Sequence, residues 1–312
     1  MSEIFASKTP EVEEREVLHA NLSRELAGEC MVLLEKDGAL PFAVKKVAIY
    51  GNGVRGTIKG GTGSGDVNTR NNVNIEQGFV NAGIKVASTA WLDRQEQRVK
   101  DAKAAYLQWA KEEAARKGVP EFSVMFDTPY KDPACELITA EDVKGSETDT
   151  AVYVIARNSG EGADRFDEAG DYQLYPEELE NIKTIAAGYK NTIVVLNIGG
   201  VMNLSEIKAV EGVNAILLMT QLGNLGGDAL LDVLTGKVNP SGKTTDTWAK
   251  NYMDYPSSAK FSHNESVNDE MYEDGIYMGY RYFDSFDVET EYCFGFGRSY
   301  TEFELKAGEI SV

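Results

Sequence analysis

Five short segments carry residues whose types and spacing could do chemistry. The first, Arg157-Asn158-Ser159-Gly160-Glu161-Gly162-Ala163-Asp164-Arg165, sets one carboxylate between two glycines, with Arg157, Asp164 and Arg165 as charge partners nearby in the chain. Flanking glycines make a tight, exposed turn that presents Glu161, and a presented carboxylate can act as a general acid or base. A salt-bridged surface loop is the plainer alternative. The second, Gly60-Gly61-Thr62-Gly63-Ser64-Gly65-Asp66, is a glycine-rich turn of the kind whose backbone N–H groups can approach a phosphate. It lacks GxGxxG and GxxxxGK[ST] in proper register. A flexible loop beside a neutral ligand, with Ser64 and Asp66 at hand, and a purely structural loop stay open beside phosphate binding. The other three are Gly223-Asn224-Leu225-Gly226-Gly227-Asp228, whose glycines allow loops to pack closely; Asn239-Pro240-Ser241-Gly242-Lys243, a turn by its residues; and Cys293-Phe294-Gly295-Phe296-Gly297-Arg298-Ser299-Tyr300. Aromatic faces like those of the last segment can line a sugar site, although buried packing is their more frequent use.

Other chemistries are excluded by what the chain lacks. Two histidines, His19 and His263, cannot build a histidine-rich metal site, and a catalytic triad would rest on His263 alone. Cys30, Cys135 and Cys293 are odd in number, far apart and without CxxC, so neither a disulfide framework nor a zinc site is expected. A formal net charge of -19 makes nucleic acid and anionic membrane poor partners, while neutral ligands such as sugars remain compatible. The first residues lack the apolar core of a signal peptide, and no apolar run is long enough to span a bilayer, so a reducing cytoplasm is expected.

Hydrophobic periodicity places the segments on elements. Residues 10–36 are expected to be one helix, with Pro10 near its start and Leu18, Leu22, Leu26 and Leu33 at helical spacing. Lys46–Tyr50 reads as a buried first strand, Asn74–Asn81 as a helix, Ile84–Ala87 as a second strand, and residues 91–117 as a long helix closed by Gly118. Val119–Glu147, with three prolines, reads as an irregular surface excursion or lid. Ala151–Ala156, Thr192–Ile198 and Ala215–Met219 are apolar strands, Tyr175-Pro176-Glu177-Glu178 opens a helix, and Asp228–Leu234 is a helix stopped at Gly236. Strands alternating with helices predict an α/β fold: a mostly parallel sheet with helices on both faces. Beyond Pro240 an aromatic-rich, irregular wrap with short strands is expected.

Taken together and in order, these segments resemble the α/β-sandwich domain of family 3 glycoside hydrolases, the β-glucosidases and their relatives. Cys30–Pro41 resembles the opening helix and turn; Arg157–Arg165 is similar to SGEGxDR; Leu234–Lys243 matches LxGxxNPSGK; Tyr277–Asp284 resembles GYRYxD; and Phe294–Phe303 is similar to FGxGxSYTxF. The match runs from about residue 20 to 303, with a departure where Thr244 and Thr245 replace Leu-Pro after the PSGK-like turn.

The resemblance implies a retaining β-glycosidase, most simply a β-glucosidase, whose nucleophilic aspartate lies on a (β/α)8 barrel that this chain lacks. It puts Glu161 at the acid/base position. Retaining hydrolysis needs two carboxyl groups about 5–5.5 Å apart, one as nucleophile and one to protonate the leaving oxygen. Asp164 and Arg165 would hold the Glu161 loop by ion pairing, Arg157 would border the site, and the loop with Ser64 and Asp66 would border the same cleft. No cofactor or metal is implied. The partners implied are the barrel of the same polypeptide and a β-glucoside or oligosaccharide. Residues 1–300 would be the sandwich domain, and 301–312 the first strand of a following fibronectin-type domain, as in family members with sandwich before barrel. The chain alone is then expected to be inactive. A nucleotide-binding α/β oxidoreductase and a non-catalytic carbohydrate-binding module are the competing readings.

Overall fold

The computed structural model describes residues 10–159, 165–260, 266, 268–304 and 306–308. The elements run α1 (Glu14–Cys30), β1 (Val32–Lys36), β2 (Lys46–Tyr50), α2 (Ile75–Asn81), β3 (Lys85–Val86), α3 (Thr89–Lys117), α4 (Glu121–Asp127), α5 (Ala140–Ser146), β4 (Thr150–Arg157), α6 (Pro176–Gly188), β5 (Asn191–Ile198), α7 (Ser205–Lys208), β6 (Val213–Leu218), α8 (Gly226–Leu234), β7 (Trp248–Ala249), α9 (Tyr280–Ser285) and β8 (Thr290–Tyr292). Six strands form one sheet in the order β1-β6-β5-β4-β2-β3. All neighbours are parallel except β1, which runs antiparallel to β6 with Leu33 opposite Leu217. β4 is buried along its whole length and β5 nearly so, which explains their continuous apolar runs: both sheet faces are covered. α1, α2 and α8 pack together as one group, and α5, α6 and α7 as another.

Several local signals act as the sequence suggests. Asn74 caps α2 by accepting from the Gln77 N–H, Pro176 occupies the first turn of α6, and Gly118 ends α3 in the left-handed conformation with φ +69°.

Three expectations are corrected. The helix over 10–36 stops at Cys30, and Val32–Lys36 is an edge strand. Met31, Val32, Leu33 and Leu34 are all buried; four consecutive apolar residues cannot share one helical face, but a strand covered on both sides buries them all. β2 is therefore not the first strand. Leu18, Leu22 and Leu26 do not form the packed stripe of α1: they are 59%, 52% and 52% exposed, while Ala27 and Gly28 face the protein. The excursion over 119–147 is partly helical, because α4 forms between Pro120 and Pro129 and α5 after Pro133. The wrap beyond Pro240 contains the β7–β8 pair as expected and also the short helix α9.

Candidate functional site

The strand order creates a crevice. From β2 the chain moves outward to β3, then returns to place β4 on the opposite side of β2. The connections leaving the C-terminal ends of β2 and β4 therefore diverge, and ligands of open α/β sheets bind at such a reversal. The loop after β2 carries Gly60–Asp66, and the loop after β4 carries 158–165. Both chemically suggestive segments thus rise from adjacent strand ends.

Backbone and side-chain bonds bring them together. The Thr62 N–H donates to the Ser159 carbonyl at 3.3 Å. Gly51, the first residue of the loop after β2, has φ +102°, and a Cβ there would lie 2.1 Å from the Val154 carbonyl oxygen, so only glycine lets this loop leave flush against β4. Asn52 then bonds Ala156 in both directions, accepting from its N–H at 2.8 Å and donating to its carbonyl at 3.0 Å. The loop is held further along by Asn197, at the end of β5. Its Oδ1 accepts from the Ile58 N–H, and its Nδ2 donates to the Ile58 and Thr220 carbonyls.

The sequence-predicted residues divide into three groups. Glu161 and Asp164 lie outside the described residues. Ser64 contributes its backbone to the 3-10 turn Gly63–Gly65, and its side chain also lies outside what is described. Asp66 pairs with Lys59 at 3.2 Å and is largely exposed. Both arginines are anchored by carboxylates. Arg157 is buried, and its guanidinium grips Glu178 of α6 through both terminal nitrogens, at 2.9 and 2.5 Å. Burial alone would lower its pKa, but the Glu178 carboxylate outweighs that and holds it above the ordinary arginine value. Arg157 is thus a buttress under the loop. Arg165 pairs with Asp171 at 2.7 Å, and Asp171 also accepts from the Phe166 N–H at 3.0 Å. The Tyr252 hydroxyl donates to the Arg165 carbonyl at 2.9 Å, tying the C-terminal wrap to the far end of the loop. Thr62 Oγ1 and Arg165 Nε and Nη2 are buried and unpartnered among the described residues.

Asn52, Asp171, Asn197 and Tyr252 escaped the sequence reading. The one available signal was polarity out of place: Asn197 interrupts the apolar run Thr192–Ile198 just before its end, and it is fully buried. Among the described residues no group of three or more His, Cys, Asp or Glu side chains could hold a metal ion, and no helix is long and apolar enough to cross a membrane.

Comparison with known proteins decides the family. Residues 31–280 match the model of the glycosyl hydrolase family 3 C-terminal domain. The chain belongs to that family. β-Glucosidase A of Butyrivibrio fibrisolvens is 33% identical to it over 92% of this chain and 36% of that protein, and a β-glucosidase of Ruminococcus albus is 31% identical over 91% and 28%. The structure of β-glucosidase 3B from Thermotoga neapolitana in complex with alpha-D-glucose superposes with a TM-score of 0.74 at 34% identity, covering 94% of this chain and 39% of that one. This family 3 C-terminal domain therefore spans well under half the length of these β-glucosidases.

Proposed function

We propose that this domain supplies the general acid/base of a retaining β-glycosidase acting on β-glucosides, with Glu161 as the donor. The supporting observation is the junction at the strand reversal, where the Thr62 N–H holds Ser159, two residues before Glu161. A carboxylic acid presented from this crevice would protonate the glycosidic oxygen while an aspartate of a covering barrel attacks the anomeric carbon, and then, as carboxylate, would deprotonate the water that releases the sugar. Arg165 and the loop bearing Ser64 and Asp66 border the crevice and would shape the sugar site.

A covering barrel is consistent with the apolar surface left open. Tyr272, Ile276, Met278, Phe286 and Phe294 are each at least half exposed. In the same proposal residues 301–312 begin a following domain; Thr301–Glu304 form no strand. A cytoplasmic setting is supported by Cys30, Cys135 and Cys293, all free thiols.

The test is kinetic. In the complete enzyme, Glu161→Ala should lower kcat/KM on cellobiose by about 10²- to 10⁴-fold, the usual worth of acid–base assistance. An aryl glucoside whose leaving group needs no proton should lose far less, and azide should partly restore turnover. Full activity of the variant on cellobiose would remove Glu161 from this role. This chain by itself should not turn over an aryl β-glucoside, because the displacement needs the absent nucleophile; normal turnover would refute the divided site.

A further inference from the structure

We infer that Asn197 is a positioning residue for the sugar-binding loop, setting substrate affinity through the loop's placement without itself touching the sugar. The inference rests on the reading that the loop bearing Ser64 borders the sugar site.

Asn197 has no exposed surface, so each of its polar atoms must be satisfied within the protein. The Ile58 N–H can only donate, which fixes Oδ1 toward it at 2.7 Å. Nδ2 then has two protons for two carbonyls, Ile58 at 3.0 Å and Thr220 at 2.6 Å. The side chain thereby copies a two-way backbone pair, and it clamps the loop six residues before Ser64. The same stretch is also tied by the Thr57 hydroxyl, which donates to the Gly53 carbonyl at 2.8 Å and accepts from the Ile75 N–H at 2.9 Å, by the Gly223 N–H to the Lys59 carbonyl at 2.8 Å, and by the Thr62 N–H to Ser159; Asn197 is the side chain that reaches the loop from β5 and bonds it in both directions.

A second observation points the same way. Thr220 is a β-branched residue with φ +60°. That conformation costs about 1–3 kcal/mol and persists only where the surroundings impose it. The Asn197 amide on the Thr220 carbonyl is one such constraint, and through Asn197 the loops after β2 and β6 meet on one side chain, beside the direct bond from the Gly223 N–H to the Lys59 carbonyl. The strain is explained if the exact height of the loop over the crevice matters.

The discriminating experiment uses the complete β-glucosidase carrying Asn197→Ala or Asn197→Asp, with KM and kcat for an aryl β-glucoside, calorimetric binding of glucose, and Tm. Asn197→Ala should weaken glucose binding and raise KM by about tenfold, the equivalent of 1.4 kcal/mol, with kcat changed by no more than about threefold. The aspartate variant supplies a pH-dependent rescue. A protonated carboxyl has one donor and one acceptor, enough to restore the two-way bond to Ile58, whereas a carboxylate would face two carbonyls. Its glucose affinity should therefore approach the parent value near about pH 5 and fall toward that of the alanine variant near about pH 8, the buried carboxyl titrating between. A lower Tm with unchanged glucose affinity would mark a purely structural clamp and overturn the inference, as would a loss confined to kcat or a pH-independent aspartate variant. Glu161→Ala run in parallel separates the two claims. If that variant behaves as proposed while both Asn197 variants bind glucose normally, only the present inference fails; if it retains cellobiose activity, the acid/base reading fails instead.

Discussion

Replacing Arg157 by methionine should be among the most damaging single changes in this domain. The side chains of Arg157 and Glu178 are 4% and 1% exposed. The guanidinium also donates to the Ala156 carbonyl at 3.0 Å and the Asp171 carbonyl at 3.3 Å. Methionine retains much of the volume but leaves the Glu178 carboxylate with the Tyr175 N–H, at 2.9 Å, as its remaining hydrogen-bond donor among the described residues. Uncompensated burial of one member of such a pair costs about 3–5 kcal/mol. With a urea dependence of about 3 kcal/mol/M, the midpoint should fall by about 1–1.7 M. Arg157→Met/Glu178→Leu should be more stable than Arg157→Met alone, because no charge is then stranded. Urea titrations of the parent and the two variants by circular dichroism at neutral pH measure both effects. A single variant within about 0.5 kcal/mol of the parent, in the range of an ordinary surface change, would refute the assignment of this pair as the buttress of the β4 loop.

Asp232 accepts from Arg24 at 2.6 and 2.8 Å and from Lys237 at 3.0 Å; burial pushes its pKa up, but these bonds outweigh burial and hold it below the ordinary value. Its contribution is present above the unfolded-state pKa and is lost as pH falls through the depressed one, so Asp232→Asn should cost about 1–3 kcal/mol at neutral pH, with thermal melts converging on the parent below about pH 4; a constant gap down to pH 3 would contradict the pairing. Gly227→Ala should destabilise by about 3 kcal/mol, because its Cβ would stand 2.1 Å from the Asn74 carbonyl oxygen where α2 and α8 meet. Gly145→Ala, in the open on α5, should instead stabilise by up to about 1 kcal/mol. Equal melting temperatures for these two glycine variants would show that the close approach of α2 and α8 is not needed.

Local chemistry was legible in the chain. Continuous apolar runs marked β2, β4, β5 and β6, since a strand covered on both faces has no polar side to display. Asn74, Pro176 and Gly118 marked helix ends, because capping and left-handed turns depend on one residue's own geometry. The glycine-flanked Glu161 and the Gly60–Asp66 turn stood out for the same reason, and their order along the chain carried the family resemblance. What tertiary structure decided were the partnerships between distant residues. Arg157 could pair with Glu161 or Asp164 by proximity in sequence, yet its partner is Glu178, 21 residues away on α6. Met31–Leu34 could extend a helix, yet pairing with β6 makes it a strand. The leucines of α1 have good helical spacing, but spacing cannot say whether a face is covered. Nor could Asn197 announce that it would meet Ile58, 139 residues earlier in the chain. The crevice itself exists because β4 inserts beside β2 on the side away from β3, and strand order is set by the sum of long-range packing, not by any residue's local preference.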